Sequence, residues 1–287
     1  MKKGNVLYLI GLYLVGELFN KIHEIIKMKQ KLLVKEELIK KTITVLAFVC
    51  GIQSTAEFLS NWRAYDHIIF ADTGDEKPET YFYMKTYIMP FVEKHNIPFV
   101  VVRNGKYLSL LEYCKIHKQV PMRNFRWCTD KFKRFPINKF CRKLGAHFKN
   151  PVVKALCISI DESERVNENA AVTSEPKYIK LSYPLLDRKI SRSDCKKIIA
   201  DAGFPVPIKS GCWYCPFAKK EEWRRLKIEK PELFEEACKM EEQNDKFPER
   251  TLKFPKPLRM INFDYSLNDF DPDMEDIQEC DSGHCLM

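Results

Sequence analysis

Short apolar, β-branched runs alternate with amphipathic stretches through the middle of the chain. Ile43-Thr44-Val45-Leu46-Ala47-Phe48, His67-Ile68-Ile69-Phe70-Ala71 and Phe99-Val100-Val101-Val102 read as strands. Helical stretches follow the first to about Trp62 and fill residues 78–95. Residues 152–160 and 178–185 read as a fourth and a fifth strand, and helices are expected over 191–202, 219–228 and 231–243. Strand and helix in alternation predict an α/β domain with a doubly wound, mostly parallel five-stranded sheet. Ligands of such sheets sit beyond the carboxyl ends of the strands. Gln53-Ser54-Thr55 and Asp72-Thr73 fall at two of those ends, and the fourth strand delivers Asp161-Glu162-Ser163-Glu164-Arg165.

The two ends of the chain follow other patterns. Residues 6–15 are apolar and follow Lys2 and Lys3, but no small-residue cleavage site comes after them. Glu17 ends the run well short of the roughly 20 residues that span a bilayer. Leu18, Ile22, Ile25 and Ile26 continue it as an amphipathic helix, so residues 1–40 are expected to be a peripheral helical extension, not a membrane anchor. Met28 is an alternative start, which would make that segment foreign to the fold. Residues 41–246 form the expected catalytic domain. From Phe247 to the end Pro, Asn and Asp dominate, which predicts an irregular acidic tail carrying cysteines.

Charge and cysteine count narrow the partners. The net charge is +9, yet the chain from Asp264 onward holds eight acids and neither Lys nor Arg, so residues 1–263 carry +17. A basic body suits a polyanion or a phosphorylated small molecule. Eleven cysteines without a convincing secretory signal point to a reducing, cytoplasmic setting, where thiols serve metals and chemistry.

Three constellations carry candidate chemistry. A strand, a small hydroxyl-bearing turn and a helix N-terminus form a phosphate cradle, with Ser54 and Thr55 placed to add donors. Asp72 and Thr73 at the next strand end could meet a ribose or base edge. The stretch 123–134 gathers Arg123, Arg126, Lys131, Lys133 and Arg134 around Trp127-Cys128, a composition suited to sulfate or phosphate and to a thiolate. Ser210-Gly211-Cys212-Trp213-Tyr214-Cys215-Pro216-Phe217 places two thiols on one knuckle, which serves a zinc site, a redox pair or half of an iron–sulfur site. Zinc would draw a further ligand from Cys280, His284 or Cys285. Cysteines 114, 141, 157, 195 and 238 lie in apolar or helical patterns and read as core fillers.

Together these pieces resemble the phosphoadenosine phosphosulfate (PAPS) reductase family, within the PP-loop, adenine nucleotide alpha hydrolase-like group. The resemblance covers roughly residues 42–243. It rests on Arg126-Trp127-Cys128-Thr129 with Lys133 and Pro136-Ile137, on Tyr183-Pro184-Leu185, and on the 210–217 knuckle. It implies that Ala47, Phe48, Gly51, Gln53, Ser54, Thr55, Asp72 and Thr73 bind an adenine nucleotide (PAPS, its unphosphorylated form APS, or ATP). It implies that Arg126, Lys131, Lys133 and Arg165 grip sulfate or phosphate. By the same resemblance Cys128, Cys212 and Cys215 would hold a [4Fe–4S] cluster, with zinc as the alternative. Val49 and Cys50 depart from it, standing where members usually carry glycine.

Three functions follow. A sulfonucleotide reductase would use Cys285 or Cys280 as the thiol that attacks the sulfate sulfur and releases sulfite, with a thiol reductant such as thioredoxin as partner. An ATP-dependent sulfurtransferase would thiolate a nucleic acid or small molecule through the cluster. A zinc-knuckle nucleic-acid-binding protein would use the same fold without catalysis.

Overall fold

The computed structural model describes residues 21–29, 42–123, 126–166 and 175–263. The chain divides into two compact units, Met1–Thr42 and Ile43–Met287. In the first, residues 21–29 form a helix whose side chains are exposed, including Ile22, Ile25, Ile26 and Met28. The apolar run at residues 6–15 lies outside the described residues. No described helix is long and apolar enough to cross a membrane.

The second unit is built on five parallel strands: β1 (Thr44–Phe48), β2 (His67–Ala71), β3 (Phe99–Val102), β4 (Val152–Ala155) and β5 (Ile179–Ser182). Their spatial order is β3-β2-β1-β4-β5. The chain moves outward from β1 through β2 to β3, then returns to β4 on the other side of β1. The order therefore reverses between β1 and β4, where the carboxyl ends of two strands part and leave a crevice. This is the expected doubly wound α/β sheet.

Period-two alternation explains why the sheet is covered on both faces. Val45 and Ala47 turn with Ile69, Ala71 and Val152 toward one core, while Leu46 and Phe48 turn with Ile68, Phe70 and Ala155 toward the other. Helix α1 (Ile52–Asn61) follows β1 and packs on α6 (Arg192–Asp201) through Ile52, Ala56, Cys195 and Ile199. Helix α2 covers residues 78–95 and α4 covers residues 127–143, with α3 (Leu110–His117) between them.

Helices α2 and α4 share one irregularity. Each contains a widened π-type turn, Met84–Ile88 and Asp130–Arg134, and each such turn comes just before a proline, Pro90 or Pro136. A proline inside a helix has no N–H to donate and crowds the carbonyl four residues back. The wider turn relieves that crowding without ending the helix.

Several boundaries differ from the sequence-based expectation. β4 ends at Ala155, because Ile158 N–H turns back to Leu156 O at 3.1 Å. β5 ends at Ser182, because Pro184 starts a single helical turn, α5 (Pro184–Asp187), that buries Leu185. The basic stretch after Arg126 is helical. Residues 247–263 are not wholly peripheral, since Leu252, Leu258 and Phe263 are buried. They join a third core with α7 (Lys220–Glu229), α8 (Pro231–Glu242), Tyr214 and Trp223, away from the sheet. That core carries the cysteine knuckle.

Candidate functional site: a thiol-lined cavity beside the strand-end loops

The loop after β1 is closed upon itself. Cys50 adopts a left-handed backbone, φ 60°, where a glycine would sit without strain. For a side-chain-bearing residue that conformation costs roughly 1 kcal/mol. Its thiol is buried with Sγ 3.9 Å from Thr80 O, and burial pushes its pKa far up, so it stays protonated. The Ser54 hydroxyl turns back into the loop. It accepts from Gly51 N–H at 3.2 Å and Val49 N–H at 3.4 Å, and donates to Gly51 O at 3.2 Å. The expected phosphate donor is thus engaged within its own turn. Thr55 Oγ1 and Gln53 Nε2 are buried without a hydrogen-bond partner, an arrangement that costs stability unless a ligand supplies one. Ala47 and Phe48 are buried in opposite faces of the sheet and shape the floor of the crevice without offering polar side chains.

The loop after β2 gathers more polar groups. Asp72 accepts from Gly74 N–H at 2.8 Å, from Tyr81 Oη at 2.6 Å and from Arg103 Nε at 2.9 Å. Asp75 accepts from Leu111 N–H at 2.6 Å and Tyr214 Oη at 2.9 Å. Burial nonetheless raises the Asp75 pKa above the usual carboxylate range. Thr73 Oγ1 lies 3.1 Å from Glu76 Oε1 and 3.3 Å from Cys212 Sγ. Glu76 is fully buried and pairs with Lys133 Nζ at 2.9 Å, a contact that joins the loop to α4.

The knuckle is laid along that loop as a short antiparallel ladder. Lys77 N–H donates to Gly211 O at 2.9 Å and Trp213 N–H to Asp75 O at 3.2 Å, on either side of the Glu76–Cys212 bridge. Gly211 has φ 145°, a backbone that glycine adopts without strain, and Cys215 N–H closes the turn on Cys212 O at 3.1 Å. A Cβ added to Gly51 would lie 2.9 Å from Ser210 Oγ, so the knuckle also abuts the loop after β1. Lys77, at the end of the β2 loop, and Lys209, just before the knuckle, both pair with Glu222, Lys209 at 3.3 Å. Burial would raise the Glu222 pKa, but the two ammonium groups outweigh it and hold the carboxyl at about 2.

Cys128, Cys212 and Cys215 line one cavity together with Thr73, Lys133 and Tyr214. Its empty space is about 320 Å³, part of it open to solvent. Among the described residues no three His, Cys, Asp or Glu side chains are grouped to hold a single metal ion. Cys280, His284 and Cys285 lie outside the described residues. The other five expected core cysteines include four fully buried ones, 114, 141, 195 and 238. Cys157 is less covered, yet its thiol is pushed up by burial.

The four expected anion-binding residues occupy different settings. Lys133 is buried in the cavity wall. Lys131, two residues earlier, is exposed with Nζ 5.5 Å above the Tyr113 ring. Arg126 lies 5.2 Å over the Phe217 ring at the end of the knuckle. Arg165 follows β4 and pairs with Glu162 at 2.6 Å. Sequence reasoning missed Glu76, Asp75, Lys77 and Glu222. The Asp72-Thr73-Gly74-Asp75-Glu76 run was a visible signal, but the partners of Asp75, Glu76 and Lys77 lie 36 to 145 positions further along the chain.

No protein-family model matches the chain. It is 25% identical over 268 residues to an uncharacterised protein of Methanocaldococcus jannaschii, an alignment covering 82% of this chain. The chain spans 60% of that protein's length. Among solved structures it is similar to PAPS reductase from Candida auris in its phosphate complex, with a TM-score of 0.40 and 15% identity, over 61% of this chain and 79% of that one.

Proposed function

We propose that this chain is an enzyme of sulfur chemistry on an adenine nucleotide, of the PAPS reductase-like kind, working at the cavity of Cys128, Cys212 and Cys215. One observation carries the reading. Three thiols separated by up to 87 positions in the sequence line one cavity, together with Thr73 of the loop at the carboxyl end of β2. The Thr73 hydroxyl stands 3.3 Å from one sulfur, and the Lys133–Glu76 ion pair lies in the same wall. This donor set fits a thiolate-held [4Fe–4S] cluster, which would supply iron able to accept electrons or carry sulfide. The nucleotide would meet the α1 N-terminus, where Gln53 and Thr55 have polar atoms to offer.

In the reductase reading a thiolate, Cys285 or Cys280, attacks the sulfate sulfur. An S–S bond forms, the S–O bond to the nucleotide breaks, and the nucleotide leaves with its phosphate. A second thiol then attacks the thiosulfonate sulfur of the enzyme, giving a disulfide and free sulfite, and a thioredoxin-like donor restores the thiols. Sulfur transfer driven by ATP is the second reading. Its cluster ligands would be the three cavity thiols of the described residues, with a tail cysteine as a fourth or with one position left for sulfide.

The test is anaerobic purification with iron and acid-labile sulfide analysis of the full chain and its Cys212→Ser variant. About four irons and four sulfides per chain are expected, with broad absorption near 400 nm, and the variant should lose most of both. Sulfite released without ATP then marks the reductase, whereas ATP cleaved to AMP and pyrophosphate marks the transferase. One tightly held zinc and no iron would overturn both.

A further inference from the structure

We infer that the groove between α3 and the first turns of α4 binds single-stranded nucleic acid. Asn104, Lys106, Tyr107, Tyr113, His117 and Lys131 line it together with Asp130 and Phe135, around about 1010 Å³ of empty space that includes open solvent.

The lining combines rings with cations: Tyr113 is buried at its base, Tyr107 is half-buried, and His117 and Phe135 are exposed. Tyr107 and Tyr113 meet edge to face with centroids 4.9 Å apart, and His117 lies 4.2 Å from Tyr113. The Tyr107 hydroxyl and His117 Nε2 are 2.8 Å apart, which fixes both rings. Lys106 Nζ stands 5.2 Å over Tyr107, and Lys131 Nζ 5.5 Å over Tyr113. Phe135, on the next turn of α4, leaves 64% of its surface in solvent, where an apolar ring contributes nothing to the core. Rings that accept any base face, beside ammonium groups that follow a phosphate backbone, are what single strands require. A duplex keeps its base faces stacked inside and would gain nothing from the rings. An acidic peptide would engage only the lysines. The charge of residues 1–263 adds the long-range attraction a polyanion needs.

The groove adjoins the thiol cavity. One widened turn of α4 sends Lys131 to the groove and Lys133 to the cavity wall. Trp127, next to Cys128, stacks on Tyr113 at 5.1 Å. A strand in the groove is therefore held beside the sulfurs. Its use as acceptor of sulfur rests on the transferase reading above, but its binding does not.

The test is fluorescence anisotropy of the full chain with a labelled 12-residue oligothymidylate, over about 50 to 200 mM salt. Binding should exceed that of the matching duplex and resist AMP and an acidic peptide. Lys106→Glu with Lys131→Glu should weaken it at least about tenfold and reduce the salt slope by about two. Phe135→Ala, at an exposed ring, should weaken it about fivefold or more. No binding near 100 μM (roughly the limit of non-specific affinity), equal binding of duplex, displacement by AMP or the peptide, or indifference to all these variants would overturn the inference. Iron and sulfide measured on the same preparations separate the two claims. Oligonucleotide binding without a cluster leaves the groove and removes the sulfur reading, whereas a cluster without binding does the reverse.

Discussion

The loop after β1 and the thiol cavity beside the loop after β2 are held in opposite ways. The loop is closed by neutral contacts at short range: the Ser54 hydroxyl spans three to five residues. The cavity is closed by charge across long stretches of chain: Glu76 to Lys133, and Lys77 and Lys209 to Glu222. Neutral local hydrogen bonds contribute about 1 kcal/mol each and depend little on pH. Buried ion pairs cost much to desolvate and more to break, so they set where a site fails. A closed loop suits holding a ligand in one place.

The comparison breaks first at Lys133. Lys133→Met should leave Glu76 as an uncompensated buried charge and cost about 3 kcal/mol or more of unfolding free energy. Adding Glu76→Gln should recover a good part of it. Urea melts of both variants measure this, and a single variant as stable as the parent would show the pair to be dispensable.

Glu222 comes next and brings pH with it. Its folded pKa of about 2 lies below the ordinary carboxylate value, so its contribution is fully present above about pH 5 and fades as pH falls toward 2. Glu222→Gln should cost about 1–3 kcal/mol at pH 7 and much less near pH 3. A penalty that stayed constant between those pH values would assign the residue to packing and to the α7 cap at Lys219 N–H, 2.8 Å away.

Gly51 sharpens the other side and should matter least. Its φ of −101° suits alanine, so Gly51→Ala meets only the Ser210 hydroxyl, which can turn away. The expected loss is about 1 kcal/mol or less, restored by Ser210→Ala. A larger loss that Ser210→Ala does not restore would place a second obstacle in the loop.

The sheet was legible in the sequence because its signals are local. Val45 to Phe48 and His67 to Ala71 declare a strand within five residues, and Gly51 and Ser54 mark the turn that follows. The thiol set was legible through the knuckle and the family resemblance, and Cys128, Cys212 and Cys215 do share a cavity. The sequence does not show whether a hydroxyl beside a helix N-terminus faces a ligand or its own loop, and the Ser54 hydroxyl bonds within its loop. Lys131 and Lys133 looked equivalent in the sequence, yet one is exposed and the other buried, since their difference comes from tertiary partners. Pro184 was a visible stop to the fifth strand. Its missing N–H outweighs the apolar run around it.

The widened turn at Asp130–Arg134 also sets an angle. Successive residues of an α-helix are rotated by about 100°, and a turn with one extra residue shifts the phase of everything before it by about that amount. Ile137 and Cys141 after the turn face the sheet core, while Cys128 before it faces the cavity. Shortening the turn by one residue would keep every side chain of the thiol set and re-aim Cys128 by about a quarter of a circle. The direction in which that sulfur points is thus encoded in the number of residues between it and Pro136 and in the proline that keeps the turn wide.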